Sequence, residues 1–191
     1  LQVTVADIAH HTAAVARTRP SALVVADMPW MSYHVSVEDT LRNAAELVRA
    51  GGQAVKLEGG RQRLPMVEAL IDAEIPVMGH IGLTPQSVNA MGGFKVQGRN
   101  SDAAKEMLND ARALEQAGAD LLILECVPAA LGAEITREVS IPVIGIGAGP
   151  DTDGQILVVY DVIGVSAGRT PRFVRNFLEE GRNVEQAVQA Y

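Results

Sequence analysis

A short apolar run that ends on a polar residue or a glycine turn, then a loop and a helix-like stretch, recurs about six times in this sequence. The runs are ALVVA before Asp27, AVKL before Glu58, PVMG before His80 and DLLIL before Glu125, then PVIGI before the turn GAG and QILVVY before Asp161. Units of roughly 20–30 residues that alternate strand and helix predict a parallel sheet with right-handed crossovers.

The patterning predicts strands over Ala22–Ala26, Ala54–Leu57, Pro76–Gly79, Asp120–Leu124, Pro142–Ile146 and Gln155–Tyr160. Helices are predicted over Val5–Ala16, Val37–Ala50, Arg61–Ala73, Ala129–Val139, Pro171–Glu180 and Asn183–Tyr191. A further helix runs to Gln116, with Ser101 as its expected N-cap. A long polar, glycine-rich loop spans Ile81–Arg99.

Four predicted strands end on Asp27, Glu58, His80 and Glu125. A (β/α)8 barrel carries its catalytic residues at such C-terminal strand ends. An open doubly wound sheet also places sites there, but it more often shows a glycine fingerprint after its first strand, and none occurs here. A complete barrel has eight strands in typically about 250 residues. This chain has 191 residues, about six strands, and starts with a helix at Leu1 rather than with Met. The expectation is one partial barrel domain over residues 1–191. Its first two βα units would be missing, apart from the helix after the second strand, as in a truncated or trimmed chain.

Composition narrows the function classes. Hydrophobic residues make up 48% and charged residues 20%, ordinary for a soluble globular chain. The net charge of −7 leaves no basic stripe to meet phosphates, which argues against nucleic-acid binding. No apolar run reaches the roughly 18–20 residues of a membrane span. One cysteine, Cys126, fits a reducing compartment, so the cytoplasm is the expected location.

Side chains alternate along a strand, so in AVKLEGG at Ala54–Gly60 Lys56 and Glu58 share one face. A charged pair on a buried strand is costly unless paired or given a ligand. A structural ion pair and a binding site both satisfy that condition. Asp27, Glu58 and Glu125 together resemble a divalent-metal site of hard oxygen donors suited to Mg²⁺. Competing structural roles are a turn residue before Pro29 for Asp27 and a barrel salt bridge for Glu125. A carboxylate beside the apolar run LLIL also favours a raised pKa and general-base chemistry.

His80 suits a ligand, a donor to substrate or a satisfied core position. His10, His11 and His34 show no ligand spacing and are expected on the surface. Cys126 lacks a basic partner and reads as packing. Gly145, Gly147 and Gly149 suit either a phosphate loop or a tight barrel-rim turn.

These segments together resemble the ketopantoate hydroxymethyltransferase family. The matching stretches are ADMPWMSY at Ala26–Tyr33, VKLEGG at Val55–Gly60, and IPVMGHIGLTPQSVNAMGGFKVQGR at Ile75–Arg99. LLILECVPA at Leu121–Ala129, IPVIGIGAGPDTDGQILV at Ile141–Val158 and TPRFVRNF at Thr170–Phe177 continue in the family's order.

The resemblance implies a barrel of the phosphoenolpyruvate/pyruvate type. It implies transfer of a hydroxymethyl group from 5,10-methylenetetrahydrofolate to 3-methyl-2-oxobutanoate with Mg²⁺, through a metal-stabilised enolate. It implies Asp27 and Glu58 as metal-site carboxylates, and Asp27, Lys56 and His80 as substrate contacts. Glu125 takes the place of the general base. It also implies a homo-oligomer, decameric in bacterial relatives. The chain departs from the family in lacking an Asp-Ser pair at the end of a second strand, and its C-terminal tail is short. A non-catalytic fragment or assembly subunit is the alternative reading, and another lyase of the same barrel type a third.

Overall fold

A computed structural model describes residues 1–168 and 170–191. Six parallel strands pair in sequence order: β1 (Val25–Asp27), β2 (Ala54–Glu58), β3 (Val77–Gly82), β4 (Leu121–Glu125), β5 (Val143–Ile146) and β6 (Gly154–Gln155). Helix α1 (Val5–Ala16) precedes β1, and α2 (Val37–Arg49) and α3 (Leu64–Asp72) follow β1 and β2. The short α4 (Val88–Met91) and the long α5 (Ser101–Gln116) follow β3, and α6 (Ala129–Glu138) follows β4. Helices α7 (Val159–Val162) and α8 (Val184–Ala190) lie beyond β6. The sheet is thus an incomplete barrel, with β1 and β6 as edges among the described residues.

Local chemistry sets the helix starts. Thr4 and Asp7 form a capping box on α1, with Thr4 N–H donating to Asp7 Oδ2 at 2.8 Å. Ser36 Oγ accepts from the Asp39 amide at 3.1 Å and caps α2. The cap of α5 is Asn100 rather than Ser101: Asn100 Oδ1 accepts from the Ala103 amide at 2.8 Å. Asn and Ser are both good caps, and the extended backbone of Asn100 decides between them.

The period-2 alternation splits the sheet into two faces. The pairs Ala26↔Val55, Leu57↔Gly79, Gly79↔Leu122 and Leu122↔Val143 point toward the helices. There they pack on Leu47, Val67, Leu70, Leu114 and Ile135, all fully buried. Burying each leucine contributes roughly 1.5–3 kcal/mol relative to exposure. The other face, carrying Val25, Lys56, Met78, Leu121, Ile123 and Ile144, lines an open cavity of about 510 Å³.

Several predicted elements differ: the strand expected over Ala22–Ala26 is Val25–Asp27, and the loop expected over Ile81–Arg99 holds the end of β3 and α4. The run Gln155–Tyr160 is not one strand. β6 covers only Gly154–Gln155, the Ile156 amide makes one more bond to Gly145 O at 3.0 Å, and α7 begins at Val159. β5 ends at Ile146 and turns at Gly147, so no partner remains for a longer ladder. Pro171–Glu180 is helical only over Phe177–Glu179, a 3-10 turn started by Asn176, whose side chain accepts from the Leu178 amide at 3.0 Å. Arg61–Ala73 is a 3-10 turn at Arg61–Arg63 followed by α3.

Gly145–Gly149 forms the rim turn. Gly147 has φ +64°, and a Cβ there would lie 2.5 Å from Phe173 Cδ1. Both its backbone region and the ring against it require glycine. Among the described residues no helix is long and apolar enough to cross a membrane.

Candidate active site

The C-terminal ends of β1 to β3 bring four of the five expected groups together. Asp27 pairs in register with Lys56, and Glu58 with His80. In-register side chains of adjacent parallel strands share a face, so all four project at one end of the barrel. Lys56 Nζ lies 2.8 Å from Asp27 Oδ1 and 3.8 Å from Glu58 Oε1. It also lies 3.2 Å from His80 Nδ1. The ammonium can only donate, so that contact makes Nδ1 the acceptor and places the neutral ring's proton on Nε2.

Burial grades across the cluster. The Asp27 side chain is 50% exposed, that of Lys56 15% and that of Glu58 4%. Burial pushes the Glu58 carboxyl above the ordinary carboxylate range, with Lys56 and His80 pulling it back. Glu58 Oε2 also accepts from the Gln86 amide at 2.9 Å.

Glu125 enters from β4 through His80. His80 Nε2 lies 3.3 Å from Glu125 Oε2, yet the approach is not a hydrogen bond, and Nε2 is a buried polar atom without a partner among the described residues. The angle decides the matter here rather than the distance. An unpaired buried N–H beside a carboxylate is a place for a ligand oxygen.

Gly82, in register with Glu125, is what lets that strand end approach. Its φ is +93°, and a Cβ would lie 2.2 Å from Glu125 O. The next residue, Leu83, donates its amide to Glu125 O at 2.8 Å.

The three carboxylates do not gather into one cage. Among the described residues no group of three or more His, Cys, Asp or Glu side chains stands ready to hold a metal ion. Lys56 lies between Asp27 and Glu58, and His80 lies between Glu58 and Glu125. Asp27 and Glu58 remain as a pair of hard oxygen donors.

His34 is half-buried rather than on the surface, and its Nδ1 has no partner among the described residues. Burial, with Arg63 adding, holds its imidazole below the usual range. His10 and His11 are exposed. Cys126 has φ +49° and is half-buried; burial, then the Glu125 charge, pushes its thiol up.

Sequence reasoning gave no role to Tyr33 and Gln86. Tyr33 O–H donates to Gln86 Oε1 at 2.6 Å, and the Glu58 amide donates to the Tyr33 oxygen at 3.2 Å. Gln86 Nε2 donates to Met28 O at 2.9 Å. A tyrosine in the short loop Met28–His34 of an aromatic-poor chain was the available signal.

Known proteins match this chain along its whole length. The family described as ketopantoate hydroxymethyltransferase matches residues 1–191. The 3-methyl-2-oxobutanoate hydroxymethyltransferase of Alkalilimnicola ehrlichii is 57% identical over 190 residues, which is 99% of this chain and 68% of that protein. The 3-methyl-2-oxobutanoate hydroxymethyltransferase 2 of Bradyrhizobium diazoefficiens is 54% identical over 191 residues, and this chain spans 65% of its length.

Among solved structures, 2,3-dimethylmalate lyase, a PEP mutase/isocitrate lyase superfamily member, superposes with TM-score 0.54 at 18% identity. That match covers 78% of this chain and 54% of the lyase chain. Oxaloacetate acetylhydrolase superposes with TM-score 0.56 at 14% identity, covering 78% of this chain and 55% of that one. These distant likenesses speak for the barrel fold alone. The sequence matches, over the segments that carry Asp27, Lys56, Glu58, His80 and Glu125, show that the chain belongs to the ketopantoate hydroxymethyltransferase family.

Proposed function

We propose that this chain carries the keto-acid centre of a hydroxymethyl transfer to 3-methyl-2-oxobutanoate, giving 2-dehydropantoate in pantothenate biosynthesis. The one-carbon donor is 5,10-methylenetetrahydrofolate. What supports the reading is the juxtaposition of Lys56, His80 and Glu125 within the family match.

Each residue has a task that its position suits. Lys56 offers a fixed positive charge to the keto acid. His80 offers its unpartnered Nε2–H to a substrate oxygen. Glu125, beside that nitrogen, removes the C3 proton, and the electron pair moves toward the keto oxygen. The new carbon–carbon bond forms at C3, and both carbon–nitrogen bonds of the donor's methylene group break. Water supplies the hydroxyl oxygen. The C3 proton and one water proton end on the two donor nitrogens, which balances the reaction.

Asp27 and Glu58 would hold Mg²⁺. The donor chemistry fits, since Mg²⁺ is commonly bound by one or two carboxylates together with waters and substrate oxygens. Half-exposed Asp27 leaves room for those waters. When bound, the cation supplies Lewis-acid polarisation of the keto group.

The test is exchange of the C3 proton of 3-methyl-2-oxobutanoate in deuterated water with Mg²⁺ and no folate, followed by proton NMR. Exchange is expected. Its absence from both this chain and a full-length relative would sink the reading. Exchange by the relative alone would favour the second reading, that this chain is a non-catalytic part of such an enzyme. The open edges of β1 and β6 favour that second reading. A cytoplasmic homo-oligomer accompanies the first, and light scattering on the purified chain checks its assembly.

A further inference from the structure

The two oxygens of Glu58 face different surroundings. Oε2 turns to the loop after β3 and accepts from the Gln86 amide at 2.9 Å. Oε1 turns to the charged cluster and stands 3.8 Å from both Lys56 Nζ and His80 Nδ1. That separation is beyond hydrogen-bond reach, and among the described residues no hydrogen bond reaches Oε1. The last torsion of a glutamate is broad, so partners rather than rotamer preference set the plane of its carboxylate.

The partner that sets it is itself anchored. Pro85 opens a 3-10 turn over Pro85–Ser87, and the Ser87 amide closes it on Thr84 O at 2.8 Å. Within this turn the Gln86 side chain donates to Met28 O at 2.9 Å and accepts from the Tyr33 hydroxyl at 2.6 Å. The Tyr33 oxygen accepts from the Glu58 amide at 3.2 Å. Its ring is fully buried, with the Arg63 guanidinium 5.4 Å from the centroid. Tyr33 therefore ties the backbone of Glu58 to the same turn that holds the Glu58 carboxylate.

We propose that Tyr33 and Gln86 are positioning residues for a divalent cation, holding Glu58 so that it offers Oε1 alone beside Asp27; the inference rests on the reading that Asp27 and Glu58 hold Mg²⁺. An oxygen already engaged by an amide is the poorer donor, which leaves Oε1 for the cation or for one of its waters. Mg²⁺ demands near-ideal octahedral geometry, so a carboxylate free to turn binds it less well. Partners that orient ligating side chains typically govern metal affinity by about 10–100-fold.

The experiment titrates Mn²⁺, which takes the same oxygen donors as Mg²⁺, into the whole chain and follows the free ion by electron paramagnetic resonance. Glu58→Gln identifies the site. Tyr33→Phe removes one hydroxyl and keeps the buried ring, and Gln86→Leu removes the anchor of the turn. Ile135→Val deletes one methyl group from the core on α6 and serves as the control. Far-UV circular dichroism first establishes that each variant is folded, and Tyr33→Phe decides alone should Gln86→Leu fail to fold. The Kd for Mn²⁺ is expected to rise about tenfold or more in Tyr33→Phe and Gln86→Leu and to keep the parental value in Ile135→Val. An unchanged Kd in Tyr33→Phe would overturn the positioning role and leave the cation reading standing. An equal rise in Ile135→Val would overturn it too, since any loosening of the fold would then have the same effect. Binding that Glu58→Gln leaves unaltered, or a parent that binds no Mn²⁺, counts against the cation reading itself and removes the inference with it.

Discussion

The backbone amide of Gln86 donates to Glu58 Oε2 at 2.9 Å, although 28 residues separate the two in sequence. The Gln86 side chain reaches the other way, to Met28 O and the Tyr33 hydroxyl. Tyr33 in turn receives the Glu58 amide. Glu58 is therefore held from both sides by one network that also ties the loops after β1 and β3 to the end of β2. The cluster is ordered by these loops as much as by the sheet.

Gln86→Leu removes two bonds at once, leaving Met28 O unpaired and the Tyr33 O–H without an acceptor, although the Tyr33 oxygen still accepts from the Glu58 amide. Met28 and Tyr33 are fully buried, and an unmade buried hydrogen bond costs about 1–3 kcal/mol. We expect a lower urea midpoint for Gln86→Leu and a similar drop for Tyr33→Phe. The two substitutions break one shared bond, so the double variant should lose less than the sum. Strict additivity would show that the network is not a unit.

Lys56→Met isolates the buried carboxylate. Glu58 then keeps its burial and loses an ammonium at 3.8 Å. Removing one partner of a buried pair costs about 3–5 kcal/mol, and half-exposed Asp27 adds little to that. The expected result is a marked stability loss that Lys56→Met with Glu58→Gln largely recovers. Failure of the second substitution to recover stability would mean that Lys56 acts through packing of its stem.

Much of this arrangement was legible in the residues. An apolar run that ends in charge marks both a strand and its exposed end, which located Asp27, Glu58, His80 and Glu125. Period-2 alternation placed Lys56 and Glu58 on one face, and the 3.8 Å contact agrees. The rest depends on partners distant in sequence. QILVVY has the composition of a strand, but a ladder needs a neighbour, and β5 has already turned away at Gly147. The bond between Tyr33 and Gln86 spans 53 residues, and no local period carries such a pairing. His34 looked like a surface residue because its burial comes from tertiary packing around Tyr33 and Arg63.

His34 should give the protein an acid-sensitive component. Its folded pKa lies below the ordinary 6.5, from burial first and Arg63 second. As pH falls through 6.5 the unfolded chain takes up the proton more readily than the folded one. Stability is therefore full above 6.5 and declines as pH drops toward the folded value, below which the loss is complete. His34→Gln should flatten that slope in urea midpoints taken across about pH 5 to 7. An unchanged slope would assign the acid sensitivity to other groups.

Glu125→Gln separates proton transfer from architecture. A general base contributes typically about 10²–10⁴-fold, so C3 exchange should fall by that factor. Keto-acid affinity should hold, because Lys56 and His80 remain in place. Cys126 supplies an internal check on geometry. Burial raises its thiol first, and the neighbouring Glu125 charge raises it further. The amide variant removes only the second cause. The pH profile of iodoacetamide alkylation should then move toward lower pH while staying above that of an exposed thiol. A profile that reaches the exposed-thiol range would mean that the β4 end has come apart. The loss of exchange would then follow from the lost architecture rather than from the missing base.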